Sequence, residues 1–174
     1  KVVVNGRDGG WWVKPGTPAP RGCGYARPKD VSPRQLGNGA GTAARRQRYI
    51  ERDGAVEADA KGALLSEGNI GDTLDARVAF WRQVEAFEQG NGRVLQGIIA
   101  EMPFEEEVGP DGRRDILMAF GREFTEMGLR WHGVVHRPDE HSDRRNYHLH
   151  FVFSDRPADR LGERWRFSPT KHPE

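Results

Sequence analysis

An α+β fold, with one largely antiparallel β-sheet and helices packed on a single face, is what this sequence predicts. Two observations predict it. Apolar patterns follow one another in the order β–α–α–β–α–β–β, which favours a sheet with helices laid against it over alternating βαβ units. The last two strand patterns lie within residues 131–153 (WHGVVHRPDEHSDRRNYHLHFVF), joined by a polar segment long enough to bring the second strand back antiparallel beside the first.

The chain has 174 residues, 36% of them hydrophobic and 30% charged, so one domain with a compact core and long loops is expected. Residues 1–154 are read as that domain, and residues 155–174, polar and rich in arginine, as a tail or linker. No stretch approaches a membrane span, and the first residues lack the basic–apolar–small plan of a signal peptide. The single cysteine, Cys23, excludes an intramolecular disulfide, which fits a cytoplasmic protein. The net charge of +1 conceals a polarised chain. Residues 1–52 hold eleven Lys/Arg against three Asp/Glu, residues 53–129 seven against sixteen, and residues 130–174 nine against seven. A basic first third can serve a nucleic-acid surface or pair with the acidic middle, and charge alone leaves both open.

Taken in order, residues 1–5 (KVVVN) read as a short strand, and residues 6–38, rich in Gly, Pro and Arg, as a long loop. Its Trp11 and Trp12, with Lys14 and Arg21, can stack on unpaired bases or simply cover a small core. Thr42 can cap a helix running through AARRQRYIER, with Gly54 as its stop. On that helix Tyr49 shares a face with Arg45, Arg46 and Arg52. Three cations around a tyrosine are unusual as core packing, and they suit a phosphate-directed hydroxyl. Residues 55–71 read as an irregular connection. Asp72 then caps an amphipathic helix with Leu74, Val78, Trp81 and Val84 on one stripe. Residues 93–103 read as a strand, the Glu105-to-Gly112 stretch as a solvated turn, and residues 113–127 as a helix with Leu117, Phe120, Phe124 and Met127 on one side.

The chemistry concentrates in the final strand pair. Side chains alternate along a strand, so His148 and His150 share one face, while Tyr147, Leu149, Phe151 and Phe153 take the other. His136 closes the preceding strand, and antiparallel pairing would bring the three imidazoles onto one patch. Three nitrogen ligands with free positions make an open divalent-metal site. A closed structural zinc site would draw on cysteines that this chain lacks. Zn, Mn, Co and Ni all suit imidazole. His141, in the connecting loop, is expected in solvent. Asp139 or Asp143 can accept the second ring N–H of a ligand histidine, Glu101 can orient a ligand or the tyrosine, and Arg144 and Arg145 can touch phosphates. Tyr147 is tied to the opposite face, which leaves Tyr25, in the Gly/Pro loop, as the competitor to Tyr49 for nucleophile.

The run HRPDEHSDRRNYHLH resembles the histidine motif of the plasmid relaxases, the HUH-type endonucleases of the MobA/MobL and related mobilisation families. There one histidine is followed, past a polar loop containing Asp and Arg-Asn, by His-x-His. Asp143, Arg145 and Asn146 match the loop, and His136, His148 and His150 match the ligands. RYIERDG also resembles the segment carrying the catalytic tyrosine of relaxases, which makes Tyr49 the match. The resemblance is specific over residues 131–153 and weaker over 45–54. It implies an HUH-like sheet with the histidines on its central strands and a Mn or Mg ion in use. The activity implied is site- and strand-specific nicking and rejoining of single-stranded DNA through a covalent 5′-phosphotyrosine, which starts plasmid or integrative-element transfer. Implied partners are single-stranded DNA at an origin of transfer, accessory relaxosome proteins and a secretion coupling protein. Two other readings stand beside it: an HUH replication initiator or transposase, and a catalytically silent module that binds single-stranded DNA.

Overall fold

A computed structural model describes residues 3–4, 11–12, 27–31, 41–88 and 92–172. A two-residue ladder joins β1 (Val3–Val4) to β2 (Trp11–Trp12). There follow β3 (Arg27–Val31), α1 (Thr42–Ile50), β4 (Ser66–Gly68), α2 (Leu74–Phe87), β5 (Leu95–Glu101), α3 (Pro110–Glu126), β6 (Arg130–His136), β7 (His148–Ser154), β8 (Ala158–Leu161) and β9 (Arg164–Phe167). Five strands form one antiparallel sheet in the order β3–β5–β7–β6–β4, so the two histidine-bearing strands lie side by side at its centre. The α+β class and the central histidine strands are as expected.

The distribution of helices is not. On one face Trp131, Val135, Leu149 and Phe151 pack with Leu117 and Phe124 of α3. On the other, Val134 and Val152 pack with Ile50 of α1 and with Phe80, Trp81 and Val84 of α2. The helices thus cover both faces, and the histidine face is not bare. The reason lies in β6 and β7 themselves, which carry Val134 and Val152 on the histidine side. Leaving those exposed would forfeit roughly 1.5–3 kcal/mol per side chain. The imidazoles occupy the end of that face, where the helical cover stops.

Several local expectations change for identifiable reasons. Residues 55–71 include β4, whose Ser-Glu-Gly sequence has no strand preference and is held by pairing with β6. Within residues 6–38 lies β3, an edge strand that tolerates Pro28 because an edge leaves one side of the ladder free. Thr73, not Asp72, caps α2 by accepting the Ala76 N–H at 3.2 Å. The start of α1 is capped by Glu85 of α2, which accepts from the Gly41 and Ala43 amides at 2.8 and 2.9 Å. That carboxylate sits at the positive end of the helix dipole. α1 stops at Ile50, and Gly54 (φ 73°) makes the turn beyond it. Pro110 opens α3 at its first position, where no N–H is needed, so part of the expected turn is helix.

The expected tail is also folded over residues 158–167. Ala158 and Phe167 are buried, Trp165 packs edge-on against Phe80 at 5.1 Å, and Phe167 lies 5.2 Å from Phe87. The alternation in Arg-Trp-Arg-Phe already carried the period of a half-buried strand. The side chains of Trp11 and Trp12, together with Lys14, Arg21, Cys23 and Tyr25, lie outside the described residues.

α3 approaches the sheet closely because Gly121 has no side chain. A Cβ there would stand 2.1 Å from two ring carbons of Trp131, which is itself stacked on Phe151 with centroids 5.1 Å apart. Gly121→Ala is therefore expected to destabilise the domain by about 1–3 kcal/mol through overpacking, read as a lower urea midpoint at unchanged slope.

Candidate functional site

Register assembles the site. His136 lies opposite His148 in the β6–β7 ladder and Val134 lies opposite His150, so the three imidazoles share a face. Their ring centroids are 5.1 Å (His136–His148), 4.3 Å (His136–His150) and 4.9 Å (His148–His150) apart. Each ring can offer one nitrogen such that all three lie within 4.8 Å of one another. His136 and His150 are buried and His148 is half-buried.

Main-chain carbonyls set the proton positions. His136 Nε2 is 2.6 Å from the Ile50 carbonyl oxygen, which can only accept, so that nitrogen carries the proton and Nδ1 keeps its lone pair. Nδ1 is buried and has no hydrogen-bond partner among the described residues. His148 Nδ1 donates to the Asn146 carbonyl at 3.1 Å, which leaves Nε2 free to ligate. Burial pushes His136 down to about 4 and His150 to about 2, with neighbouring rings and Arg46 adding to the effect. Neutral imidazole is the form that binds a metal. Two rings held neutral by burial, one of them with a stranded lone pair, and a third with its Nε2 free fit a divalent cation.

Arg46 complicates that fit. Its Nη2 lies 3.4 Å from His150 Nδ1, and a guanidinium can only donate, so this contact uses a lone pair that the triad needs. Its charge also opposes a cation in the same place.

Tyr49 stands beside the triad. Its ring meets His150 edge-on, centroids 6.4 Å apart and planes at 83°, and its side is open to solvent (49% exposed). The guanidinium carbons of Arg52 and Arg46 lie 4.5 and 5.1 Å from the phenol centroid. Arg45 turns back to Thr42 Oγ1 at 3.0 Å instead of joining them.

The carboxylates expected behind the ligands are otherwise engaged. Asp139 accepts from the His141 amide at 2.9 Å, and Asp143 holds the Arg145 amide and guanidinium at 2.9 and 3.1 Å, both inside the connecting loop. Glu101 lies across the ladder from His148, on the same face. Arg52, Arg137, Arg144 and Arg145 line a cleft of about 780 Å³ that opens onto His136 and His148, with Glu105 and Glu106 on its wall. His141 is exposed, as expected.

Sequence reading missed the polar seat beneath α1. His132, buried on the same face as His136, is bonded to Gln47, which in turn reaches Trp81 and Glu51. The signal was present: His132, Val134 and His136 fall on the period of two that was used for His148 and His150.

No protein-family model matches the chain, and no curated protein matches it in sequence. Among solved structures, it shares its fold with one described as the molecular basis of vancomycin resistance transfer in Staphylococcus aureus. The TM-score is 0.57 and the identity 20%, over 83% of this chain and 75% of that one. No described helix is long and apolar enough to cross a membrane.

Two outcomes follow from the geometry. Arg46→Met should tighten divalent-metal binding about fivefold, because it removes a like charge and frees a ligand lone pair. Calorimetric titration with Mn²⁺ reads this, and equal or weaker binding contradicts it. The second concerns pH. Burial holds His132 down at about 3, and His136 and His150 are also lowered, against 6.5 in the unfolded chain. The unfolded chain thus takes up more protons below pH 6.5. Stability that is complete above that pH should fall as the pH drops toward 4, by up to about 1.4 kcal/mol per pH unit for each ring. Urea midpoints that stay flat between pH 7.5 and 4.5 would contradict neutral buried rings.

Proposed function

We propose that this chain is a DNA relaxase domain of the HUH type, related to the MobA/MobL-like mobilisation enzymes. It nicks and rejoins single-stranded DNA at an origin of transfer and so starts the transfer of a plasmid or integrative element. One observation carries the reading: a solvent-open tyrosine, flanked by two arginines, stands edge-on to a three-histidine cluster whose rings are poised to ligate. The fold shared with a protein of vancomycin resistance transfer in Staphylococcus aureus supports it.

His136, His148 and His150 would hold the ion, Mn²⁺ or Mg²⁺ in use. When bound, it supplies positive charge to the non-bridging oxygens of the scissile phosphate. The chain's own residues do the rest. Arg46 and Arg52 hold the phosphate next to Tyr49 and offset the negative charge that develops on it. The Tyr49 oxygen attacks phosphorus and its proton passes to solvent. The bond from phosphorus to the 3′-oxygen breaks, and that oxygen takes up a proton to leave a free 3′-hydroxyl. The product phosphotyrosine is still an ester, so a 3′-hydroxyl can attack it and reseal the strand without ATP, whereas hydrolysis would dissipate that energy. The arginines of the loop and cleft, Arg137, Arg144 and Arg145, would carry flanking phosphates. Accessory relaxosome proteins and a secretion coupling protein are the partners such an enzyme meets.

The test uses single-stranded oligonucleotides from the transfer origin of the chain's own element. A covalent adduct and a strand ending in a 3′-hydroxyl are expected, abolished by EDTA and reduced at least a hundredfold in Tyr49→Phe. Loss of the adduct in Tyr25→Phe with retention in Tyr49→Phe would move the nucleophile. Binding without any adduct would make the chain a silent DNA-binding module.

A further inference from the structure

We propose that His132 and Gln47 are positioning residues for Tyr49, acting through the rotation of α1. Tyr49 is 49% exposed, so its contacts with His150, Arg46 and Arg52 cover only part of the ring. Its placement must come from the helix that carries it. That helix is fastened to β6 at two points. At its C-terminal end the Ile50 carbonyl receives the His136 N–H. Three residues earlier, Gln47 reaches down to His132, the residue that precedes His136 by four on the same strand face. One tether would leave the helix free to roll about the contact; the second, together with Glu85 of α2 at the helix start, removes that freedom.

The hydrogen bonds of the second tether have a single consistent assignment. Trp81 Nε1 can only donate, and it lies 2.7 Å from Gln47 Oε1, so the amide orientation is fixed. Gln47 Nε2 then donates to His132 Nδ1 at 2.8 Å and to Glu51. With Nδ1 accepting, His132 carries its proton on Nε2 and donates to Ser66 Oγ at 3.1 Å. Glu51 is held in turn by Arg77, whose Nε lies 2.8 Å away and whose Nη1 bonds the Gly71 carbonyl at 2.9 Å. Gln47 is fully buried and His132 is 1% exposed. Both ring nitrogens of His132 are occupied, so it is not a fourth metal ligand despite sharing the face of the triad. A buried polar chain this complete under one short helix is costly if its only purpose is packing, since apolar residues of similar size would fill the space.

The consequence for chemistry rests on the nicking reading, because a nucleophile displaced by about 1 Å loses roughly a hundredfold in rate. The consequence for geometry does not. The experiment therefore reads both, on the full chain labelled with 3-fluorotyrosine, with the Tyr49 fluorine resonance assigned by its loss in Tyr49→Phe. In His132→Leu that resonance should shift and broaden. The single-turnover adduct rate at saturating oligonucleotide should fall at least tenfold, while affinities for Mn²⁺ and oligonucleotide stay within twofold. His132→Asn, whose Oδ1 can stand where the ring Nδ1 does and so keeps the contact to Gln47, should bring resonance and rate back to within threefold of wild type. A Tyr49 resonance unmoved in His132→Leu, whatever the melting temperature, overturns the proposal and leaves the network as packing alone. If wild type forms no adduct, the nicking reading fails and the resonance still decides the positioning. If His132→Leu does not fold, Ser66→Ala, which removes only the far partner, takes its place: a displaced resonance supports the proposal and an unmoved one overturns it.

Discussion

The last carbonyls of an α-helix have no partner inside it, and in α1 one of them, on Ile50, is satisfied by a histidine ring. That single hydrogen bond does two things at once. It completes the helix end against a buried strand, where an unpaired carbonyl would cost about 1–3 kcal/mol. It also commits His136 to the tautomer whose other nitrogen has no hydrogen-bond partner among the described residues. The structural demand of a helix terminus and the chemical demand of a ligand set meet in one ring. The helix that ends there is the one that carries Tyr49, so the same bond couples the position of the phenol to the position of the triad.

A sheet face that is half core and half reactive site needs a boundary, and the sequence of β6 and β7 draws it. Val134 and Val152 require cover from α1 and α2, and the histidines beyond them require access. Burial holds His136 and His150 to the neutral form, and the charge of nearby Arg46 acts in the same direction. Arginines can crowd the site because these two buried rings carry no charge. Arg46 makes the tension explicit: beside His150 its charge is unhelpful to a cation and well suited to an anion.

Much of this was legible in the residues. His-x-His on a strand, a third histidine closing the strand before it and a polar loop between are enough to place three rings together, because antiparallel pairing leaves little other choice. The arginine-flanked tyrosine was equally visible on a helical wheel, although Arg45 turned the other way to reach Thr42. What could not be read was which face each helix would cover, since α2 carries Phe80 beside Trp81 and its apolar stripe does not name a partner surface. Nor could β4 be read, because three residues without strand preference become a strand only when β6 is there to pair with them. The carboxylates failed for a different reason. Asp139 and Asp143 are short side chains in a tight loop, and the nearest amides claimed them before any ring could.

The two described tyrosines are held in opposite ways. Tyr147 lies on the far face, where the buried Arg113 guanidinium sits 4.0 Å from its ring and fixes it by packing. A ring fixed that way has no route to a substrate. Tyr49 has the route, because it faces solvent, and for the same reason it has few neighbours of its own to define its place. Reach and fixity are opposed for a single side chain, and they are reconciled only if the fixed object is the helix. The buried chain from Trp81 through Gln47 to His132 is most simply understood on those terms: polar groups that give precise, directional attachment, placed under the helix that carries Tyr49.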